Sequence, residues 1–466
     1  MTLLAELRAI VGDVAVLTDG DLSAWEVDWR KRVRGRALAV VRPASTDEVA
    51  AVVKACAVQG TPIVTQGGNT GLVGGSVPDE SGAQVVLSLT RMNRIRALDA
   101  ANLTMTVDAG CVLQTAQEAA AAAGLLYPLS LAAEGSCTIG GNLATNAGGT
   151  AVLRYGNARE LCLGLEVVTA SGEIWDGLSG LRKDNTGYDL RDVFIGSEGT
   201  LGVITGAILK LYPQPAAATT ALASTATLEA AVELLQLAQA RLGPGLTGFE
   251  VMNTLSLELV RKHFPALRQP LAPAPWTVLL EQSDTEGAEH ATTLFEGLLQ
   301  AALERDLIDD AAVASSLEHS KSMWQLRESI PLAQSLEGAN IKHDIALPIS
   351  AVAGFVASTD ATLQRAFPGI RMVDFGHLGD GNLHYNVQAP DGVVALDFVG
   401  EYEPRVNELV YDAVAACRGS FSAEHGIGRI KRDHLARRKS PVALELMRSI
   451  KRALDPANVL NPGRVI

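Results

Sequence analysis

Apolar positions in the first half of the chain alternate between helical and extended spacing. A capping box at 45–48 precedes apolar residues at helical intervals, and Gly60 ends that segment. Residues 62–64 then have the short apolar character of a strand, and further strands are predicted at 85–89, 105–107 and 165–169. A helix is predicted at 113–123. This alternation is typical of an α/β domain.

The pattern is interrupted at 212–215, where two prolines precede an alanine- and threonine-rich stretch. Beyond it, helices are predicted at 228–241 and in a segment ending at 303, and strands at 246–252 and 276–281. Residues 430–454 again have helical spacing. A chain of 466 residues is too long for one ordinary core, so we expect two or three domains, with a second α/β layer at roughly 216–423.

Composition limits the classes of function. The net charge of −13 provides no basic surface for nucleic acid, and no stretch approaches the roughly 20 apolar residues that a bilayer requires. Five cysteines without a CxxC spacing indicate reduced thiols. Glu6 and Arg8 near the start are typical of an amphipathic helix and not of a signal peptide. We therefore expect a cytoplasmic protein that binds no nucleic acid and has no membrane span.

Three glycine-rich loops lie at the ends of predicted strands. The first glycine loop is 65–75 (TQGGNTGLVGG), the second is 135–149 (GSCTIGGNLATNAGG) and the third is 196–204 (GSEGTLGVI). Glycines allow positive φ and bring bare backbone N–H groups against an oxyanion such as a pyrophosphate. One such loop is often only a tight turn, but three favour a large diphosphate-bearing cofactor. The two standard nucleotide fingerprints are absent, so a different dinucleotide-binding fold is indicated.

The segment GHLGDGNLHYN at 376–386 has two histidines on either side of a turn. If 379–382 is a four-residue loop, His377 lies directly opposite His384, with Cβ atoms about 5 Å apart, and Asn386 points to the same face. Two imidazoles at that distance can share a metal ion. Glu424, in SAEHGIG, offers a third ligand beside His425, although a surface pair at a helix terminus would have the same sequence.

Together with RYG at 154–156, the three glycine loops resemble the FAD-binding domain of the vanillyl-alcohol oxidase/p-cresol methylhydroxylase (PCMH) superfamily. The resemblance covers essentially the whole chain and implies an α+β protein. Its parts would be a two-subdomain α/β FAD-binding domain of PCMH type at 1–214, an α+β substrate and metal domain with an antiparallel sheet at 215–425, and a C-terminal helical segment at 426–466 that returns to the flavin.

The resemblance also implies a set of FAD contacts. Some members attach the flavin through a histidine of the first glycine loop, but that loop contains none here, so we expect FAD held without a covalent bond. The matching positions are Gly67, Gly68, Asn69, Thr70, Gly71, Leu72, Gly135, Cys137, Thr138, Gly140, Gly141, Asn142, Thr145, Asn146, Gly148, Glu198, Gly199, Ile204 and Asn461. Glu198 and Ile204 would lie near the ribose and adenine.

The histidine segment and SAEHGIG are similar to those of the D-2-hydroxyglutarate and D-lactate dehydrogenase branch of the superfamily. This likeness implies a divalent metal held by His377, His384 and Glu424, with Zn²⁺ as the first expectation and Mn²⁺ as the alternative. It also assigns the role of general base to His425. Two further functions fit the same motifs, namely a non-redox flavin transferase resembling alkyl-glycerone-phosphate synthases and a metallohydrolase with structural glycine loops.

In the same branch, an arginine in a W-x-x-R-E helix and a lysine fifteen residues later bind substrate carboxylates, and an asparagine is a further contact. The matching residues are Arg327, Lys342 and Asn386, although from the sequence alone Arg327 is an ordinary solvated helix charge. One position departs from the pattern. Where D-2-hydroxyglutarate enzymes can present a threonine hydroxyl, this chain has Pro331, which offers no donor.

The implied reaction is oxidation of a D-2-hydroxy acid to the 2-oxo acid by hydride transfer to flavin N5. D-2-hydroxyglutarate is the favoured substrate, and D-lactate and D-malate are alternatives because Pro331 removes one contact to a second carboxylate. Electrons would pass to a separate acceptor, for which we expect an electron-transfer flavoprotein. A homodimer is expected from the general frequency of dimers among oligomers.

Overall fold

The computed structural model describes residues 2–466, and its contacts divide the chain into two units. The first unit comprises the chain up to Gly149, Gly156–Gln214 and Glu424–Ile466, and the second comprises Thr150–Tyr155 and Pro215–Ala423. The predicted boundaries fall after residues 214 and 425, whereas the chain passes between the units after Gln214 and after Ala423. Within the described part of the chain, no helix is both long and apolar enough to cross a membrane.

One sheet of the first unit is mainly parallel. Its four strands, in spatial order, are Val16–Leu17, Ala37–Val41, Gln84–Ser88 and Ile63–Gln66, and only the first two are antiparallel to each other. The helix Thr46–Val58 connects two of the parallel strands, which cannot be joined by a tight turn. Ser45 caps this helix by accepting a hydrogen bond from the backbone N–H of Glu48, as the capping box predicts.

The other sheets of the first unit are antiparallel. A five-stranded sheet has the order Ile95–Asp99, Thr104–Asp108, Val203–Lys210, Cys162–Val168 and Ile174–Asp176, and a two-stranded sheet pairs Leu125–Leu126 with Tyr212–Pro213. The remaining helices are Leu3–Val11, Ser23–Glu26, Leu113–Ala122, Ile139–Ala144, Arg191–Phe194, Arg432–Arg438 and Pro441–Leu454. The helical segment predicted at 430–454 is present as two of these helices, Arg432–Arg438 and Pro441–Leu454. Ser440 caps a new helix that begins at Pro441, since proline suits a first helical turn and not an interior.

The second unit contains one eight-stranded antiparallel sheet, as the predicted α+β class requires. Its strands, in spatial order, are Asp310–Val313, Ala217–Thr225, Trp276–Asp284, Leu246–Asn253, Arg371–His377, Asn382–Gln388 and Asn340–Ile341, and Asp344–Ala346 also pairs with Asn382–Gln388. The helices of this unit are Val152–Tyr155, Leu228–Leu242, Thr254–His263, Ala288–Leu303, Leu317–Glu328, Ile330–Glu337, Val352–Ala366 and Ala395–Ala416.

Helices cover both faces of this sheet. Successive side chains of a strand face opposite layers, so Phe249 and Val251 pack in one core while Met252 packs in the other. The second of these cores also contains residues of the helices Thr254–His263, Leu317–Glu328 and Ile330–Glu337. We call this side of the sheet the polar-site face, because the polar residues described below lie on it.

Candidate functional site

A cavity in the first unit is lined by all three glycine loops. Its empty space is about 930 Å³, counted to include the part open to solvent. The lining includes residues of 67–71 in the first loop, of 138–145 in the second, and Glu198, Gly199 and Ile204 in the third. The fold thus brings together loops that are far apart in the sequence.

Close backbone contacts explain the glycines of the first loop. A Cβ at Gly67 would lie 2.2 Å from Thr138 Oγ1, and a Cβ at Gly68 would lie 2.0 Å from the carbonyl oxygen of Ser136. Real Cβ atoms essentially never approach other atoms so closely, so a side chain here would push the first and second glycine loops apart. The two glycines therefore set the spacing between two walls of the cavity.

Two buried polar atoms of the lining have no partner of their own. The hydroxyl oxygen of Thr65 and the amide Nδ2 of Asn142 are buried, and neither forms a hydrogen bond within residues 2–466. A buried polar group left unsatisfied costs about 1–3 kcal/mol, so these atoms indicate a polar ligand in the cavity. Together with the glycine walls, they fit a dinucleotide such as FAD.

All but five of the predicted FAD contacts line this cavity. The five that do not are Leu72, Gly135, Cys137, Asn146 and Gly148. Cys137 is buried, and Asn146 Oδ1 accepts a 3.0 Å hydrogen bond from the backbone N–H of Arg159. Thr65 and Ser76 do line the cavity but lie outside the predicted set, because a loop hydroxyl has no distinctive sequence signal.

The predicted base is part of the same unit. His425 lines the cavity beside the glycine loops. The preceding residue, Glu424, accepts a 2.7 Å hydrogen bond through Oε1 from the backbone N–H of Gly149, at the end of the second glycine loop. Both residues are half-buried and lie in a loop, so they are not an exposed pair at a helix terminus.

Glu198 attaches the third glycine loop to the chain that follows His425. Its two carboxylate oxygens accept hydrogen bonds of 2.7 Å from the backbone N–H groups of Ile427 and Gly428. Burial raises the pKa of Glu198, and the two N–H donors and Lys431 act to lower it. The carboxylate is thus engaged by the protein itself, and its predicted contact with the ribose stays a prediction.

The second unit contains the predicted histidine pair. We call the strands Arg371–His377 and Asn382–Gln388 the histidine hairpin. Across the two strands, His384 pairs with Phe375 and not with His377, so the predicted register is wrong by two residues. A shift of two keeps every side chain on its face, and the imidazole rings remain neighbours with centroids 5.6 Å apart.

The turn of the histidine hairpin explains this shift. Leu378–Asp380 forms a 3-10 turn, and Gly381 has a left-handed φ of 81° before the second strand begins at Asn382. A Cβ on Gly381 would also lie 2.2 Å from the carbonyl oxygen of Leu347. The connection therefore uses 378–381 instead of 379–382. The first strand ends one residue earlier than predicted, at His377, and the second strand begins one residue earlier, at Asn382.

Glu250 joins His377 to Arg327 on the polar-site face. It is the registered neighbour of His377, and its Oε1 lies 2.6 Å from His377 Nδ1. Its Oε2 accepts a 2.7 Å hydrogen bond from Arg327 Nε. All three side chains are buried. The sequence contains one signal for Glu250, which is a carboxylate inside the otherwise apolar strand Leu246–Asn253, and charged residues are rarely buried unless they are paired.

The charge state of Glu250 follows from these partners. Burial raises the pKa of its carboxyl, but the attraction and hydrogen bonds of His377 and Arg327 outweigh burial and lower that pKa to about 2. A carboxylate so placed accepts the Nδ1–H of His377, so in the neutral imidazole the lone pair lies on Nε2. This is the usual arrangement of a metal-binding histidine, so the donor set fits a metal.

Arg327 is 6% exposed and is not the solvated helix charge that the sequence alone suggests. Its guanidinium carbon lies 4.9 Å from the ring centroid of Phe375, whose ring lies 4.9 Å from that of His384. Within the described residues the side chain makes one hydrogen bond, through Nε to Glu250, so its terminal nitrogens retain donors for an anion.

The two other predicted substrate contacts, Asn386 and Lys342, also belong to the second unit. Asn386 is buried on the polar-site face, where it accepts from the backbone N–H of His343 at 3.1 Å and donates to Gln334 Oε1 at 3.0 Å. Lys342 is half-buried in the turn between Asn340–Ile341 and Asp344–Ala346. Their contacts with substrate stay predictions.

Comparison with protein families identifies two domains. Residues 37–177 match the family described as FAD binding domain, and residues 214–465 match the family described as FAD linked oxidases, C-terminal domain. The second match alone spans more than half of the chain, and the first contains the first two glycine loops.

Curated relatives match nearly the whole chain. D-2-hydroxyglutarate dehydrogenase, mitochondrial, of Bos taurus is 39% identical over 465 residues, which is 99% of this chain and 83% of the relative. D-2-hydroxyglutarate dehydrogenase of Xanthomonas citri pv. viticola is 39% identical over 446 residues, covering 96% of this chain and 92% of the relative. The mitochondrial D-2-hydroxyglutarate dehydrogenase of Arabidopsis thaliana is 36% identical, with coverages of 98% and 80%.

Solved structures confirm the fold class. p-Cresol methylhydroxylase with substrate bound superimposes with a TM-score of 0.77 at 19% identity, covering 99% of this chain and 96% of that one. An alkyldihydroxyacetonephosphate synthase has a TM-score of 0.75 at 17% identity, with coverages of 99% and 85%. At these identities the likeness concerns the fold alone.

The names of the relatives contradict the predicted cytoplasmic location. The proteins of Bos taurus, Danio rerio and Arabidopsis thaliana are all designated mitochondrial, and the Xanthomonas protein has no such designation. The five cysteines are free thiols, but free thiols indicate only reducing surroundings and do not distinguish one such compartment from another.

Proposed function

Because the chain belongs to the family of FAD-linked oxidases, we propose that it is a FAD-dependent dehydrogenase that oxidises D-2-hydroxyglutarate to the 2-oxo acid. The observation that supports this most is the extent of the likeness to relatives of that name, at 36–39% identity over 96–99% of the chain. The polar residues assembled around Glu250 support it further, since they provide a buried guanidinium beside two imidazoles.

FAD would occupy the cavity of the first unit. Gly67 and Gly68 keep that cavity open, and the unpartnered Thr65 hydroxyl and Asn142 amide would each gain a partner from the ligand. When bound, FAD supplies the oxidising capacity of the enzyme, because its isoalloxazine ring accepts two electrons. The first glycine loop contains no histidine, so we propose non-covalent binding.

A divalent metal would be held by His377, His384 and Glu424. Two imidazoles and a carboxylate suit Zn²⁺, and Mn²⁺ is the alternative. When bound, such an ion supplies Lewis acidity, which lowers the pKa of a hydroxyl that it coordinates. The Nδ1 contact of His377 with Glu250 supports this role, because it orients the ring and sets its tautomer.

His425 would accept the proton of the substrate hydroxyl. Imidazole is the commonest general base in enzymes, and this one lines the cavity that FAD would occupy. The hydrogen bonds of Glu424 and Glu198 to neighbouring backbone groups hold the loop on both sides of His425. The base would therefore keep a fixed position relative to the flavin.

Arg327 and Lys342 would bind the substrate carboxylates, and Asn386 would be a further contact. Arg327 is fixed by Glu250 through Nε and by Phe375 through its face, which leaves the planar fork of terminal nitrogens for a bidentate carboxylate. Two cations favour a dicarboxylate such as 2-hydroxyglutarate. Pro331 removes one hydroxyl donor, so D-lactate and D-malate are the substrates to compare.

The reduced enzyme needs an electron acceptor. We propose a separate protein, with electron-transfer flavoprotein as the first candidate, and a homodimer as the assembly. Reduction of purified electron-transfer flavoprotein by the substrate-reduced enzyme tests the first proposal, and sedimentation equilibrium tests the second.

A visible spectrum of the purified protein, recorded without oxygen, tests the proposed function. D-2-hydroxyglutarate, D-lactate, D-malate and their L-enantiomers are added singly, with and without EDTA. We expect a yellow protein that D-2-hydroxyglutarate bleaches, and less bleaching after EDTA. A colourless protein would contradict FAD binding and would favour the alternative function, a metallohydrolase. A yellow protein that no hydroxy acid bleaches would favour the non-redox transferase.

A further inference from the structure

Each oxygen of the Glu250 carboxylate has a different partner from the proposed site. Oε1 lies 2.6 Å from His377 Nδ1, and Oε2 lies 2.7 Å from Arg327 Nε. The side chain of Glu250 is 1% exposed, and those of its partners are 8% and 7% exposed. Water therefore cannot substitute for either contact without a change in the packing.

The three groups belong to elements that are distant in sequence. Glu250 and His377 are registered neighbours on adjacent antiparallel strands, and Arg327 comes from the helix Leu317–Glu328. The carboxylate thus links a helix to the sheet at the point where the histidine hairpin begins its turn. Movement of Glu250 would shift the guanidinium and the imidazole together.

Arg327 and His377 each bind Glu250 through an atom that the proposed chemistry does not need. Arg327 contributes Nε and keeps its two terminal nitrogens for a carboxylate. His377 contributes Nδ1, so that Nε2 bears the lone pair that a metal would bind. Packing alone does not require that Glu250 contact these particular atoms in both partners.

We propose that Glu250 is a positioning residue, whose single carboxylate fixes the orientation of both the substrate-binding guanidinium of Arg327 and the metal-binding imidazole of His377. This inference rests on the proposed function. It adds a residue that touches neither substrate nor metal and acts through the two residues that do.

The same unit offers a matched control. Glu337 is also a shielded carboxylate, 7% exposed, and it accepts hydrogen bonds from Lys262, His263 and Arg371 at 2.6–2.9 Å. None of these partners is a residue of the proposed site. Replacement of Glu337 therefore removes a shielded carboxylate from cationic partners that are more exposed, without altering Arg327 or His377.

The test compares Glu250→Gln, Glu250→Asp and Glu337→Gln in the flavin-loaded, full-length protein. Glutamine has one acceptor and one donor at its end, so both contacts can persist in Glu250→Gln only if His377 accepts at Nδ1 and carries its proton on Nε2, the atom that a metal would bind. Aspartate retains the charge but is one methylene shorter. The measurements are Zn²⁺ affinity by competition with a chelating dye after removal of metal with EDTA, KM and kcat for D-2-hydroxyglutarate, and the melting temperature.

We expect Glu250→Gln to bind Zn²⁺ about 10–100-fold more weakly, as replacement of such an outer partner commonly does. We expect KM to rise by about tenfold or more, since Arg327 loses its fixed orientation. Glu250→Asp should be intermediate in both. Glu337→Gln should lower the melting temperature and leave Zn²⁺ affinity and KM within twofold of the wild type.

The inference is overturned if Glu250→Gln keeps Zn²⁺ affinity and KM within twofold of the wild type, or changes them no more than Glu337→Gln does. If Glu250→Gln does not accumulate as folded flavoprotein, Glu250→Asp decides by the same measurements. If D-2-hydroxyglutarate fails to bleach the wild type, the proposed function fails, and the Zn²⁺ measurement still decides whether Glu250 positions His377.

Discussion

The side-chain Oδ1 of Asn461 accepts a 3.0 Å hydrogen bond from the backbone N–H of Thr65, 396 residues earlier in the chain. Asn461 Nδ2 donates to the carbonyl oxygen of Glu198 at 2.6 Å. One amide therefore joins the first and third glycine loops. The last residues of the chain form part of the wall of the proposed flavin cavity.

Asn461→Ala removes both hydrogen bonds from a buried position. We expect the free energy of unfolding to fall by about 2–3 kcal/mol and FAD to dissociate more readily, because the carbonyl of Glu198 and the N–H of Thr65 lose their partner. Thermal unfolding and fluorescence titration of FAD measure the two effects. Asn458→Ala is the control, because Asn458 is exposed and has a similar positive φ, 52° against 44°. Equal losses in the two variants would contradict the role of the amide.

Gly68→Ala places a Cβ 2.0 Å from the carbonyl oxygen of Ser136, a backbone atom that cannot rotate away. We expect a loss of about 1–3 kcal/mol in stability, together with loss of bound flavin, because the two glycine loops must separate. Gly71→Ala is the control within the same loop, since a Cβ there meets no protein atom within 4 Å. The melting temperature of the apoprotein distinguishes them. A Gly68→Ala protein as stable as Gly71→Ala would show that the loops are not in contact as described.

Arg327→Lys tests the proposed carboxylate contact. Lysine retains the charge but has one terminal nitrogen, so it cannot bind Glu250 and also offer a bidentate fork to a carboxylate. We expect KM for D-2-hydroxyglutarate to rise about 10–100-fold, or about 1.4–2.8 kcal/mol, with a smaller change in kcat. Steady-state kinetics with a dye acceptor measure both constants. An unchanged KM would remove Arg327 from the proposed substrate site.

Pro331→Thr tests whether the missing hydroxyl affects substrate choice. Pro331 lies in the first turn of the helix Ile330–Glu337, where threonine is tolerated at small cost. We expect the ratio of kcat/KM for D-2-hydroxyglutarate to that for D-lactate to rise by about 5–10-fold, because the new donor can bind a second carboxylate. Pro331→Ala, which removes proline without adding a donor, should leave the ratio unchanged.

The lowered pKa of Glu337 predicts that the stability of the fold depends on pH in the acid range. Burial raises the pKa of its carboxyl, but hydrogen bonds from Lys262, His263 and Arg371 lower it to about 2. A folded-state pKa below the unfolded value gives stability that is present above about pH 4.5 and is lost as the pH falls toward 2. We therefore expect wild type to exceed Glu337→Gln in stability by about 2 kcal/mol at pH 7, and by much less at pH 3. Urea unfolding at a series of pH values measures this difference, and a constant gap would contradict the linkage.

Local signals in the sequence were sufficient for several elements. The capping box and Gly60 predict the helix that the structure places at Thr46–Val58, because both act through neighbouring residues. Ser440 and Pro441 are the signal for the break between the last two helices, although the apolar spacing continues across 430–454 and does not indicate the break. The glycine loops likewise predicted a dinucleotide cavity, since residues without a Cβ allow the close approach that Gly67 and Gly68 make to the second glycine loop.

Features that depend on contacts between distant residues were not predicted from the sequence. The register of the histidine hairpin depends on a 3-10 turn whose Gly381 packs against Leu347, a contact with no local motif. The burial of Arg327 and the role of Glu250 depend on a helix and a strand that meet only in the folded chain.

The sequence by itself therefore determined the fold class, the cofactor loops and the identity of most candidate site residues. These follow from spacing, from glycine conformation and from motif likeness, all of which lie within short stretches of chain. Only the tertiary structure decided that Glu250 links Arg327 to His377 and that Asn461 links Thr65 to Glu198. Hydrogen bonds and ion pairs act over a few ångströms, and the fold alone determines which distant residues come within that distance.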